Sequence, residues 1–549
     1  MSRRWPHRAL RTLVLACSTL LVPVSAGAGI VVDGVTSDWF GQLPPSDNTA
    51  RVARRHDQSG ELVWRDAAGD ARGSAAMRAC DLRQFRVTGD ADRLYLLATF
   101  TGPVPASGDS AWQLQVTVDI NRFSGLGAGA FLGTDAPFVT PDAAWEYAVQ
   151  TRFGSGQPPR LVDQYGNELA GAVAALNPAG ACEISIPWAA MGFLYPPADP
   201  IRLCVASFLS DASDEILPAG DGVPARAADV VSQYGLAGSG NTRSELTDAQ
   251  LDQALDAFFD GRGRCIAPLV VNEVFFEGGV NAQWLELVNV SSSVLPLNQF
   301  KVGDAETPGA NEGMARFPEG LLLDPGHAVV VAARGATFFA EHGFRADAEC
   351  NSSDGATPDM LAFTGWASNI AFNVPAAGDQ VLVLDRANTV VDVITYKNAT
   401  YPGVTAKPAV PSLHSLERSS PNLDTDDCAV DLADRATPTP ATVSQFAGVD
   451  GGAVSATRWT GAWPVPSAGA VRLALELAPD AAGASVEIVD VGGRRVRTLP
   501  LAGRGTGAFV LEWDGHDGGG RLASPGVYFA RLHGAAGTAP AVRRIVIAR

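Results

Sequence analysis

At 549 residues the chain is too long for one hydrophobic core and is expected to divide into three or four domains. A formal charge of −18 argues against nucleic acid or anionic lipid as a partner, because both are held by clustered Lys and Arg. The 58 glycines and 36 prolines are aperiodic and fall between short β-branched runs, which excludes collagen and favours an all-β fold of many-turned sandwiches.

Arg3, Arg4, Arg8 and Arg11 precede an apolar run from Leu13 to Val24 and a small-x-small stretch, Ala26-Gly27-Ala28. This reads as a secretory signal peptide over 1–28, so the protein is expected to be secreted, extracellular or at the cell surface. Its removal takes away four arginines and no acids, moving the formal charge from −18 to −22. No later run approaches the roughly 20 apolar residues of a transmembrane helix.

Residues 29–244 open with IVVDGVTSDWFG (Ile30 to Gly41) and continue with VWRDAAGDARG (Val63 to Gly73) and DLRQFRVTGDADRLYLLATF (Asp81 to Phe100). Period-2 alternation in Leu94, Leu96 and Ala98, and again in Leu114, Val116 and Val118, predicts half-buried strands. CEISIPWAAMGF (Cys182 to Phe193) follows late. The order resembles the DOMON and family-nine carbohydrate-binding group of β-sandwiches, and the D-x-x-GD loop ahead of DL-x-x-F is similar to a module of some glucan-degrading enzymes. That resemblance implies a polysaccharide or cell-surface glycan as ligand, with Trp112 and Trp145 as stacking rings. It also implies calcium, held by Asp66, Asp70 and Asp81. The same aspartates would serve equally as turn formers, and both tryptophans as core.

NTRSELTDAQLDQALDAFFD (Asn241 to Asp260) breaks the β pattern. Thr247 and Gln250 have capping-box spacing, and Leu251, Leu255, Phe258 and Phe259 recur at helical intervals, so a linker helix is expected within 245–264.

Residues 265–440 carry NEV (Asn272 to Val274), WLELVN (Trp284 to Asn289), PLNQF (Pro296 to Phe300), GDQVLVLD (Gly378 to Asp385) and SLER (Ser415 to Arg418) in order. The set resembles the lamin-tail domain, an immunoglobulin-like β-sandwich. An apparent insertion at 336–373 is a candidate surface, since loops on rigid sandwiches often carry binding. Six cysteines follow the signal segment, and an even count in an exported chain suggests disulfides. Cys182 with Cys204, and Cys350 with Cys428, are the expected pairs because each falls within one domain.

After a Pro/Gly/Ala-rich linker at 441–468, residues 469–549 contain SVEIVDVGGRRVRTL (Ser485 to Leu499) and EWDGHDGGGRLASPGVYFARL (Glu512 to Leu532). These resemble the immunoglobulin-like domain first named in the flagellar hook-capping protein FlgD. Gly492-Gly493 is a hairpin turn requiring positive φ.

No zinc-protease helix, nucleophile elbow, Walker loop or paired zinc motif occurs. The expectation is therefore three tandem β-sandwich or immunoglobulin-like domains forming a non-enzymatic binding or adhesion protein. Its partners would be glycan and other envelope proteins. An extracellular hydrolase using paired carboxylates, or a purely structural envelope protein, are the alternatives. The structural reading requires Trp112 and Trp145 to be buried.

Overall fold

The computed structural model describes residues 29–54, 59–102, 110–153, 157–211, 213–233, 242–367, 373–408, 410–442, 458–463, 471–477, 485–500, 507–533 and 542–547. The expected signal segment lies outside the described residues. The chain is mostly strand, arranged in antiparallel sheets with few and short helices. No described helix is long and apolar enough to cross a membrane.

Two sheets face each other in the first domain. One carries Val173–Asn177, Ala181–Pro187, Arg93–Phe100, Leu82–Gly89, Gly60–Arg65 and Thr49–Arg54 in that spatial order. The other is built on Ile201–Asp211, Ser110–Asp119, Tyr147–Arg152 and Arg160–Asp163. The alternation read in the sequence has a physical outlet on both faces. Leu94, Leu96 and Ala98 enter the sandwich core, while Tyr95 and Leu97 pack under Ile30 and Trp39 of the opening segment. Glu183 holds that segment in place: its carboxylate accepts from the Asp33 and Gly34 amides at 3.0 and 2.6 Å and from the Trp39 indole at 2.7 Å.

The first sheet does not end with the first domain. Thr49–Arg54 pairs in parallel with Val390–Thr395, which continues through Gln380–Leu384, Lys301–Gly303, Met314–Arg316 and Leu361–Ala362 into an 11-stranded sheet. The second sheet of the lamin-tail region comprises Ala348–Glu349, Ala328–Ala332, Trp284–Asn289, Leu269–Phe275, Ser415–Arg418 and Leu432–Arg435. One continuous cluster of buried side chains runs from Leu62 and Phe85 through Val271 and Leu287 to Val383 and Leu416. The first two sandwiches are therefore fused, with a shared core. Gly60 is needed at the seam, because a Cβ there would meet the Cys265 carbonyl oxygen at 2.2 Å.

The expected linker helix is not formed. The helix here is four residues, Thr242–Glu245. Ala249 then takes a φ of 65°, a left-handed conformation that no helix interior admits. Gln250–Leu251 pairs with Phe138–Val139, and Leu255–Ala257 adds to Ile201–Asp211. Leu251, Leu255, Phe258 and Phe259 are all buried, so the apolar residues were read correctly as core-facing and wrongly as helical. Pairing with an existing sheet edge overrode a local pattern.

The expected disulfides are also absent: the six described cysteines are free and buried. Cys182 and Cys204 point into different cores. Cys350 and Cys428 adjoin opposite edges of the six-stranded sheet.

In the 336–373 stretch, a helix at Gly335–His342 buries Phe338 against Trp284. Trp366 is buried and donates to the Ala305 carbonyl at 2.9 Å, whereas Phe339 and Phe344 are exposed.

The C-terminal region pairs Arg458–Trp463, Val471–Leu477 and Gly507–Trp513 in one sheet and Arg495–Pro500, Ser485–Asp490, Gly526–His533 and Val542–Ile547 in another. Val486, Ile488, Trp513 and Tyr528 form its core. At the glycine pair, only Gly493 has positive φ. Val491, just past the end of Ser485–Asp490, is an exposed turn residue.

Candidate metal centre

The segment Asp66 to Gly73 joins Gly60–Arg65 to the helical turn before Leu82–Gly89, and its shape is imposed by one carboxylate. Asp81, which is buried, accepts from the Gly69 and Ala71 amides at 3.1 Å and from the Thr101 hydroxyl. Curling the loop round this acceptor requires positive φ at Gly69, where φ is 81°. The same curl turns Asp66 and Asp70 inward beside Asp81.

A fourth carboxylate arrives from far along the chain. Asp229, fully buried, stands on the short strand Asp229–Val230, which pairs with Ala206 and Ser207. It accepts from the Leu82 amide at 2.7 Å and from the Thr242 hydroxyl. One carboxylate oxygen from each of Asp66, Asp70, Asp81 and Asp229 lies within 4.8 Å of the others.

The electrostatics of this cage are unfavourable for carboxylates alone. Two ionised carboxylates at such a separation repel by about 3 kcal/mol at an effective dielectric near 20. Burial, then the Asp229, Asp70 and Asp81 charges, push Asp66 well above the ordinary aspartate range. Burial likewise raises Asp229, with the Asp70 charge adding to it, and burial lifts Asp70 to about 6. Arg72, next along the loop, does not neutralise the cage. Its guanidinium is taken by Asp221 at 2.9 and 3.0 Å and by the Ala225 carbonyl at 3.0 Å.

Asp66 is 1 % exposed, and no N–H or hydroxyl donor reaches either of its carboxylate oxygens; its one hydrogen-bonding neighbour is the Asp229 carboxyl, which serves only while one of the two keeps a proton, and Asp70 Oδ1 likewise has no donor. Leaving buried acceptors unmade costs free energy, and such groups call for a partner. The donor set is four carboxylates with no imidazole or thiolate, which suits a hard divalent cation and not zinc or copper. The residues present fit such an ion.

Of the residues expected to act, Asp66, Asp70 and Asp81 are brought together. Asp229 was not foreseen. Its signal is an acid set inside the small and apolar run Ala227 to Val231, where a solvated face has no place. Trp112 and Trp145 are elsewhere and offer no stacking face, being 1 % and 2 % exposed. Trp112 packs between Phe100 and Phe153 at centroid separations of 5.8 and 6.2 Å. Trp145 donates its indole N–H to the Ala130 carbonyl at 3.0 Å. A pocket between Arg122, Asp256, Leu295 and Arg386 has a volume of about 20 Å³, room for a single water.

Residues 266–398 match the Lamin Tail Domain model and residues 463–537 the FlgD Ig-like domain model. Neither match extends into residues 29–244, and nothing among the matches supports the DOMON or family-nine module expected there. No curated protein matches the chain. Among solved structures, a DUF4876 family protein from Bacteroides thetaiotaomicron is 13 % identical, over 45 % of this chain and 86 % of its own, with a TM-score of 0.24. Dimeric latent PorU from Porphyromonas gingivalis is 12 % identical, over 83 % of this chain and 32 % of its own, with a TM-score of 0.16. The BSP domain of a biofilm associated protein is 9 % identical, over 95 % and 84 %, with a TM-score of 0.14. The chain thus carries a lamin tail domain and a FlgD Ig-like domain behind a β-domain that holds the four-aspartate cage.

Proposed function

We propose that this chain is a non-enzymatic extracellular or cell-surface adhesion scaffold whose first domain is stiffened by a buried calcium ion. The observation that carries the reading is Asp66, a buried carboxylate with no hydrogen-bonding neighbour but the Asp229 carboxyl, inside a cage of three further aspartates. Calcium fits better than magnesium because it takes six to eight oxygen ligands in flexible geometry, whereas magnesium dehydrates reluctantly and keeps several waters. Extracellular modules bind calcium in the range of about 10⁻⁴–10⁻³ M, which suits an extracellular or cell-surface scaffold.

In this reading the ion is structural: it ties the Asp66–Gly73 loop to Asp229 and leaves the outer loops as the contact surface. Partners are a polysaccharide or other envelope proteins. Because Trp112 and Trp145 are core residues, a glycan would meet exposed rings such as Tyr165 and Tyr195. Titration calorimetry of the full chain with calcium and with magnesium tests the ion. Saturable calcium uptake that disappears in Asp66→Ala supports the scaffold's metal, and no uptake of either ion at millimolar concentration refutes it. A glycan array probed with the full chain, with and without chelator, tests the partner class.

A further inference from the structure

Three glutamates stand side by side on the outer face of the lamin-tail sheet. Glu273 is directly opposite Glu286 on one neighbouring strand and Glu417 on the other. All three are buried. Like charges directly opposite one another destabilise a sheet, so a row of three needs donors to hold it.

Glu417 is paired with Arg435 on the next strand. Glu273 accepts from the Ser415 hydroxyl, and Glu286 from the Asn272 side-chain amide at 2.7 Å. The remaining donors come from the segment that leaves the domain. The Thr439 amide donates to Glu273 at 3.1 Å, the Thr439 hydroxyl to Glu273 at 3.2 Å, and the Ala441 amide to Glu286 at 2.6 Å.

This segment is shaped to present those amides. The Thr442 amide donates to the Thr439 carbonyl at 3.1 Å, closing a four-residue turn. Pro440 occupies its second position, and Ala441, at the third, has a φ of 64°. That is a type II turn, which ordinarily takes glycine where alanine stands. Alanine in a left-handed conformation is strained, and such strain persists only where the surroundings over-determine it; here the Glu286 carboxylate fixes its amide.

We propose that Glu273 and Glu286 form a proton-linked latch that pins Thr439–Pro440–Ala441–Thr442 to the lamin-tail sheet and fixes where the chain departs toward the C-terminal domain. The sign follows from hydration. Burial is the largest influence on both, pushing Glu286 up to about 7 and raising Glu273, and it outweighs the opposite pull of the Thr439 and Ala441 hydrogen bonds. In the latch the segment supplies part of that cover, so lifting it would admit water and move both back toward the ordinary range. The latched form therefore holds its protons more tightly. It is strongest below the ordinary glutamate range and weakens as pH rises through about 7. Among the described residues, the other charged or titratable groups around this face are Glu417, Arg435 and Glu349 in the sheet, Asp347, which accepts from the Val330 amide opposite Glu286, and His342 on the helix covering Trp284. Substituting Glu286 separates its titration from theirs.

The experiment is hydrogen exchange on the full chain, following a peptide over 436–442 at pH 5.5 and 8.5 after correction for intrinsic rates. Wild type is expected to lose protection by roughly thirtyfold, because about 1.5 units of the range between pH 5.5 and Glu286's value of about 7 are titrated across this window. E286Q, which keeps a carbonyl acceptor but cannot titrate, is expected to lose most of that pH dependence. An unchanged pH dependence in E286Q, or a peptide unprotected at both pH values, would overturn the latch. A441P, at an exposed position, guards against misfolding of the core variant. It removes the donor to Glu286 and cannot adopt positive φ, so protection at Thr439 should vanish at both pH values; its persistence would also overturn the proposal.

Discussion

Arg51 and Asp426 are 375 positions apart in the chain, yet the guanidinium Nη2 lies 3.1 Å from the carboxylate Oδ1. Arg51 also donates to the Pro402 carbonyl at 2.6 Å, and Arg54 pairs with Asp424 at 2.7 Å. The first strand of one sandwich is thereby bolted to the closing turn of the next, at the point where Thr49–Arg54 meets Val390–Thr395. Within the acidic turn Asp424 to Asp427, Asp424 and Asp426 are thus engaged by Arg54 and Arg51, while Asp427 accepts from the Ala429 amide.

Removing Arg51 leaves Asp426 partly buried without its ion-pair partner, held only by the Arg54 amide at 2.7 Å. Arg51→Ala should destabilise the fused unit by about 3 kcal/mol, at the lower end for broken buried pairs because Asp426 is partly solvated. Since the two sandwiches share one core, calorimetry should record a single transition for both, shifted as one. Two separate transitions would contradict the fusion.

Calcium should raise stability in proportion to its occupancy. At a free concentration 100 times the dissociation constant, the gain is about 2.7 kcal/mol. Urea unfolding of the wild type with calcium and with chelator reads this directly, and Asp229→Asn, which alters the ligand that the local motif does not contain, should abolish most of it.

The pH dependence of the metal-free protein has a definite sign. Asp66, Asp70 and Asp229 all have folded pKa values above the ordinary aspartate range, Asp70 at about 6. Their contribution to stability is fully present below the ordinary range near 4 and is lost as pH rises through about 6 and beyond. Calcium needs the ionised forms, so its affinity rises over the same window. Thermal unfolding at pH 5 and pH 8 should show little calcium effect at the first and a large one at the second.

Trp112→Ala separates core from ligand roles. The ring is fully buried against Phe100 and Phe153, so its loss should cost about 3–5 kcal/mol. Denaturant titration measures this. A variant of near-native stability with altered glycan binding would return Trp112 to a surface role.

Much of this protein is legible in its sequence because alternation is local. A period of two in Leu94 to Ala98 or Leu114 to Val118 puts alternate side chains on alternate faces whatever the sheet around them does. Motif order was enough to indicate the lamin-tail and FlgD-like regions, and Asp66, Asp70 and Asp81 fall within 16 positions of one another. Contacts made across the fold carry no such local mark. Asp229 completes the cage only because the strand at Ile201–Asp211 brings its partner Asp229–Val230 beside Leu82. Leu251, Leu255 and Phe258 satisfy a helical spacing and a strand's burial equally well, and the available sheet edge decided between them. The cysteines in sequence count as pairs, but opposing cores keep Cys182 from Cys204. Side-chain periodicity is thus set by the residues themselves; which edges pair, which carboxylates converge and where one sandwich joins the next are settled only when distant segments compete for the same buried surface.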